Sequence, residues 1–268
     1  MQVAPSKHLA GVIKHYLFID GVQGAEGLQQ LRFFTDGNAH LVFRLRETML
    51  SQGALENQEG PFIVGGIKTN KNFAVLGDFS VIIVVFQPTG LYQLTGIPSY
   101  ELGQEIINGT FILDASIATL QEQLESCYKS KQQVDLLDAY FLDYIQKGIH
   151  PMDYRFSAVV KSILNARGQS KVGQLSKGSV YTERSLQRAF KKYMGIPPRE
   201  YLRIVRFHNF LGFLNLESDC ATLTSIGLTA GYYDQSHSIR DFKDFTSLTP
   251  KDYMAKTNRL ATNLVSLS

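Results

Sequence analysis

The feature that most constrains this chain is a pattern written twice. FKKYMGIPPREYL at 190–202 and FKDFTSLTPKDYM at 242–254 agree at Phe190 and Phe242, at the lysines that follow, at an aromatic (Tyr193, Phe245) and at an aliphatic (Ile196, Leu248). They agree again at a proline (Pro198, Pro250) and a tyrosine (Tyr201, Tyr253), always at an offset of 52 residues, and Arg188 and Arg240 carry the match backwards. Repetition at a fixed offset means two copies of one supersecondary unit.

Each copy reads as the end of one helix, a short break and the start of another. In the first, Thr182 is a natural N-cap, Leu186, Ala189, Phe190 and Tyr193 recur at helical intervals, and Gly195 is the stop. In the second, Gly231 suits a tight turn, Asp234 is the cap, and DQSHSIRDFKDF is the helix. Thr249 before Pro250 places a capping hydroxyl ahead of a proline at the first helical position, and Pro198 has the same place in the first copy. A short helix precedes each of these, at 171–177 and 222–229. Two short helices joined by a tight turn, the second rich in Arg, Lys and Gln, make a helix-turn-helix. Between the units, PREYLRIVRFHNFLGFLNL reads as one helix; at ~1.5 Å per residue it spans ~28 Å, close to the ~34 Å between successive major grooves.

GYYDQSHSIRDFKDFTSLTPKDY resembles the second helix-turn-helix of the AraC/XylS family of bacterial transcription regulators, and YTERSLQRAFKKYMGIPPREYLRIVR resembles the first; together they cover about residues 155–256. Three positions depart from the family pattern. Gly227 stands where Ala is common, Ser247 where Gly is common, and Ser238 where a large apolar residue is usual; the counterpart of Ser238 within the chain is Leu186. An inward Ser238 leaves the second core short of methylene groups at ~0.8 kcal/mol each, so Ser238→Leu is expected to stabilise it. With Leu186, Ala189 and Phe190 inward, Glu183, Arg184, Gln187, Arg188 and Lys191 fall on the outer face. The resemblance puts base reading on Arg184, Gln187 and Arg188 in the first unit and on Gln235, Ser236 and Arg240 in the second. Arg pairs with guanine and Gln with adenine in the major groove. Lys191, Lys192 and Lys243 are placed to meet phosphates. The family further implies double-stranded DNA as partner, a possible homodimer, and RNA polymerase as a contact if the protein activates.

Charge follows the same division. Residues 151–268 hold 17 Lys and Arg against 9 Asp and Glu, a balance of +8, which leaves 10 basic and 15 acidic residues in the rest. A basic C-terminal part behind an acidic remainder fits a nucleic-acid module joined to a different kind of domain.

The first half reads as strands, at 16–19, 30–34, 40–44 and 81–86, separated by DG, NQEGP, GG and PTG clusters. From Ser116 the spacing turns helical (Leu120, Leu124, Tyr128; Leu137, Phe141, Tyr144, Ile145) with a break at SKQQ, and 148–151 reads as a linker. The expected fold is α+β: a β-rich barrel or sandwich domain at 1–115, a helical linker at 116–150 that can pack on the barrel, make a dimer face or do both, and an all-α double helix-turn-helix domain at 151–268. TDGNAHLVF and VVFQPTGLYQLTGIPSYEL also resemble a cupin-like N-terminal domain fused to AraC-type regions, which implies a small-molecule effector. A metal-dependent cupin needs clustered ligands. His8, His15 and His40 have no such spacing, and His40 reads as structural, so neither metal nor cofactor is expected. The alternative reading is a small-molecule-binding protein or cupin-type enzyme for which DNA binding is secondary. Cys127 and Cys220 suit neither a disulfide framework nor a zinc site. Cys127 is a poor nucleophile for a DNA-repair methyltransferase, so no enzyme activity is expected. With no run of ~18 apolar residues and no signal-peptide design at the N-terminus, the expected location is the cytoplasm.

Overall fold

SVIIVVF at Ser80–Phe86 is buried along its whole length, which a strand can be only where both faces of its sheet are covered. The computed structural model describes residues 1–21, 28–45, 49–51, 60–66, 70–76, 79–103, 106–216 and 222–267; Cys220 and part of the NQEGP cluster lie outside the described residues. The N-terminal elements are β1 (Gln2–Val3), β2 (Ile13–Asp20), β3 (Leu28–Phe33), β4 (His40–Arg44), β5 (Met49–Ser51), β6 (Phe62–Val64), β7 (Lys71–Leu76), β8 (Ser80–Phe86), α1 (Gly90–Thr95) and β9 (Ile106–Asn108). There follow α2 (Thr110–Leu113), α3 (Ser116–Ser126), α4 (Ser130–Gln146), α5 (Tyr154–Asn165), α6 (Val172–Lys177), α7 (Glu183–Met194) and α8 (Pro198–Leu216). The chain closes with α9 (Leu223–Thr229), α10 (Gln235–Thr246), α11 (Pro250–Lys256), β10 (Thr257–Ala261) and β11 (Leu264–Leu267).

The strands make two sheets, ordered β1-β2-β8-β4-β6-β9 and β10-β11-β3-β7-β5. The first is covered twice. Strand alternation sends Leu17, Ile19, Val42, Val81, Ile83 and Val85 toward the second sheet, where they meet Leu31, Phe33, Val75 and Leu264. The residues between them, Tyr16, Phe18, Leu41, Phe43, Ile82, Val84 and Phe86, face the other way and pack on Leu120 and Leu124 of α3 and Leu137 and Phe141 of α4. That double cover explains the unbroken apolar run of β8. Asp138 of α4 fastens the layer, accepting from the Tyr16 hydroxyl at 2.8 Å and from the Ser6 backbone N–H at 3.1 Å.

The break between α3 and α4 lies at 127–129 rather than at SKQQ, whose residues begin α4. Tyr128, expected on the apolar face, stands in that break and is 94% exposed. The C-terminal region also holds more than helices. After α11 the chain turns back as the β10–β11 hairpin, and β11 pairs antiparallel with β3, with Leu264 opposite Phe33, Val265 opposite Arg32 and Ser266 opposite Leu31.

The third core belongs to the helices. Phe156, Leu186, Phe190, Tyr201, Phe207, Phe210, Phe242, Phe245 and Tyr253 form one aromatic-rich cluster around α8, in which Phe207 of α8 touches Phe242 and Phe245 of α10. Phe34, which directly follows β3, is fully buried in the same cluster against Phe207 and Tyr253.

Candidate nucleic-acid interface

Both recognition helices start and stop where local chemistry directs. The Thr182 hydroxyl accepts from the Ser185 N–H at 3.2 Å at the head of α7, and the Asp234 carboxylate accepts from the His237 N–H at 2.7 Å at the head of α10. Gly195 ends α7 with φ +72°. Ser247 ends α10 in the same left-handed conformation, φ +58°, a region that costs a side chain about 1–2 kcal/mol. Its hydroxyl accepts from the Asn70 amide at 2.8 Å. Thr249 caps α11 ahead of Pro250, accepting from the Asp252 N–H at 3.0 Å.

On α7 the apolar residues Leu186, Ala189, Phe190 and Met194 are buried, and Arg184, Gln187, Arg188, Lys191 and Lys192 are exposed. On α10, Phe242 and Phe245 are buried, and Gln235, Ser236, Arg240 and Lys243 are exposed. Every sequence-predicted site residue therefore stands on a solvent-facing side. The Gln235 side-chain oxygen Oε1 accepts from the Thr224 hydroxyl at 2.9 Å, which anchors that side chain to α9 and leaves its NH2 as the donor group.

Lys191 and Lys192 have neighbours that the repeat did not foretell. The Lys191 ammonium lies 5.3 Å from the Tyr100 ring centre, and that of Lys192 lies 5.3 Å from both Tyr92 and Tyr193. The Tyr92 hydroxyl raises the pKa of Lys192. Both lysines thus rest against aromatics, Tyr92 and Tyr100 being contributed by the N-terminal half. The signal for this contact was the aromatic content of GLYQLTGIPSYEL, of which Gly90–Thr95 forms α1.

Ser238 is turned inward and 1% exposed, as its place in the repeat requires. The pocket beside it is not empty. A Cβ added to Gly227 would meet the Ser238 Oγ at 3.0 Å, so two small residues let α9 and α10 approach closely, and the space that Leu186 fills in the first unit is closed in the second. The Ser238 hydroxyl is satisfied by the Gln235 carbonyl at 2.8 Å.

The connecting helix α8 is unbroken from Pro198 to Leu216, 19 residues. Arg203 on α8 orients α10: its guanidinium donates to Asp241 at 2.8 Å and to Asp244 at 2.7 Å, pairs with Glu200 at 3.2 Å, and lies 5.0 Å from the Phe245 ring centre. Arg206 donates to the Gly168 carbonyl at 2.9 Å, tying α8 to the loop before α6.

Elsewhere, an apolar cavity of about 60 Å³ lies between the two sheets, lined by Leu31, Phe33, Val42, Phe73, Ile83 and Leu264 among others. His40, 1% exposed, is its polar wall. Among the described residues no three His, Cys, Asp or Glu side chains gather as metal ligands would, and no helix is long and apolar enough to cross a membrane.

Residues 175–256 match the family described as a helix-turn-helix domain, and residues 1–108 match one described as a domain of unknown function. No curated protein matches the chain. Similar solved structures include ToxT from Vibrio cholerae strain SCE256 with a bound unsaturated fatty acid, 12% identical, TM-score 0.48, covering 89% of this chain and 94% of that one. ToxT from Vibrio cholerae O395 is 14% identical, TM-score 0.42, over 90% and 96% of the two chains. A transcriptional regulator with an AraC-type DNA-binding domain from Chromobacterium violaceum is 20% identical, TM-score 0.34, over 38% of this chain and 89% of that one. Likeness at this level adds nothing to what the capped helices and the family match already carry. What the family match establishes is that residues 175–256 form a helix-turn-helix domain.

Proposed function

We propose that the chain is a sequence-specific regulator whose two units read successive major grooves of one DNA site and whose β-rich half takes a small organic effector. The observation that carries the DNA reading is the pairing of two capped helices, each with Arg and Gln side chains turned to solvent on the face opposite its core. Arg184, Gln187 and Arg188 read bases from α7, and Gln235, Ser236 and Arg240 from α10. Lys191, Lys192 and Lys243 meet phosphates. A 19-residue connector spans ~28 Å, which suits one helical turn of DNA.

The domain limits proposed are 1–115, 116–150 and 151–268, with β10 and β11 pairing back onto β3 of the first unit. The effector reading is supported by the inter-sheet cavity, whose wall is apolar apart from His40.

Electrophoretic retardation of DNA fragments tests the reading. Affinity should fall with salt, log K against log salt having a slope of ~0.9 per neutralised phosphate. Absence of retardation at low salt would remove the regulator reading. For the effector, a metabolite screen by thermal shift should find stabilisation by an organic compound; stabilisation by a stoichiometric divalent metal alone would overturn it.

A further inference from the structure

The ribbon made by β3 and β11 has two faces that belong to different parts of the molecule. Toward the first sheet, Leu31, Phe33 and Leu264 line the apolar cavity. On the other side, Val265 is fully buried in the helical core, and so is Phe34, the residue after β3. Adjacent residues of one strand, Leu264 and Val265, therefore sit in separate cores, as strand alternation requires. Arg32, opposite Val265 in the ladder, extends the second face: its guanidinium donates to the Thr246 carbonyl at the end of α10 at 3.0 Å and to Asn72 of β7 at 2.7 Å. Phe34 touches Tyr253 of α11. The backbone N–H of Phe34 donates to the Asn263 carbonyl at 2.7 Å, closing the ribbon at the hairpin turn.

At about 60 Å³ the cavity is smaller than the ~150 Å³ that admits benzene in a protein interior. To enclose a ligand of metabolite size the space between the sheets has to widen, and a wall has to move. The β11 wall is four residues long, and its Val265 lies in the helical core, paired with Arg32 of β3, which with Phe34 touches α10 and α11. Its period of two residues leaves no way to shift Leu264 without shifting Val265.

We propose that β11 is a strap through which the filling of the inter-sheet cavity is transmitted to the second helix-turn-helix unit, α9 to α11, and not to the first. The proposal uses the cavity as the effector site but can be tested without an effector, so its failure is separable from failure of that reading. Leu264→Ala enlarges the cavity while leaving the face that touches the helices unaltered. Hydrogen exchange is read on the full chain at β11, at 235–256 and at 183–194. Exchange in β11 and 235–256 should rise about tenfold or more through local opening, with less than about twofold change at 183–194. Leu264→Met, close in volume, should behave as the unsubstituted chain. If Leu264→Ala lowers global stability too far to read, Leu264→Val should give the same pattern at smaller amplitude. A rise confined to β11, or equal rises in the two units, would overturn the proposal.

Discussion

Ser238 shows how a sequence repeat can be right about a residue's direction and wrong about its surroundings. Its alignment with Leu186 predicted burial, and it is buried; the neighbouring Gly227 closes the space that a leucine would need. Ser238→Leu should therefore destabilise the chain by about 1–3 kcal/mol, the range for overpacking a filled core. A urea titration of the full chain reads it, and an increase in stability would restore the underfilled-core reading. A second residue-scale prediction concerns acid. Burial pushes His15 from its ordinary 6.5 down to about 4, with Lys14 adding to the effect, and burial lowers His208, which donates from Nε2 to the Thr35 carbonyl at 2.7 Å. Both are favoured neutral in the fold, so the unfolded chain binds more protons below about pH 6.5, in the case of His15 down to about pH 4. Their stabilisation is complete above that window and is lost as pH falls through it. Burial alone would raise the neighbouring Asp36, but His40, Lys14 and His208 outweigh it and hold the carboxyl well below its usual range, so Asp36 adds little to the slope. The melting temperature should fall from pH 7 to 4.5, and His15→Gln should make the fall smaller; a level or rising curve would contradict the assignment.

At the scale of elements, the helices were legible because their signals are local. Thr182, Asp234 and Thr249 cap α7, α10 and α11 as written, and Gly195 stops α7. The sheet was legible only in part. β4 was recoverable from β-branched and aromatic content, whereas the β10–β11 hairpin was not: TNRLATNLVSLS has no regular alternation, and its partner β3 lies more than 200 residues earlier in the chain. Pairings of that separation leave no periodic trace near either strand. The ion pair that ties α8 to α10 was equally hidden, because Arg203 and Asp241 lie on different helices. Asp241 is 2% exposed, so Arg203→Ala leaves a buried carboxylate short of its main partner. Loss of a fully buried pair costs ~3–5 kcal/mol; with Arg203 partly exposed, about 2 kcal/mol is expected. Chemical denaturation checks this, and a change below about 0.5 kcal/mol would mean that solvent already serves Asp241.

Across the whole molecule, the N-terminal half holds both recognition helices by the same end. Ser99 donates from its N–H to the Lys192 carbonyl at 2.8 Å and from its hydroxyl to the Tyr193 carbonyl at 2.9 Å; Arg32 donates to the Thr246 carbonyl at the end of α10. These are carbonyls that a helix C-terminus leaves unmet, and a cation there also suits the helix dipole. The N-terminal turns, from which recognition helices reach bases, stay open. Docking by the far ends is thus compatible with DNA at the near ends, and Lys192, held between Tyr92 and Tyr193, lies on the boundary between the two.

The central claim is that one chain reads two unlike half-sites, since Arg184, Gln187 and Arg188 on α7 differ from Gln235, Ser236 and Arg240 on α10. Selection of binding sites from random DNA by the full chain, repeated with Arg188→Ala and Arg240→Ala, tests it directly. The account predicts an asymmetric site with two blocks about 10 base pairs apart. Each substitution should relax preference in a different block, by about 1–3 kcal/mol for each base that the arginine no longer reads. A single block, or relaxation at the same base pairs by both substitutions, would contradict it.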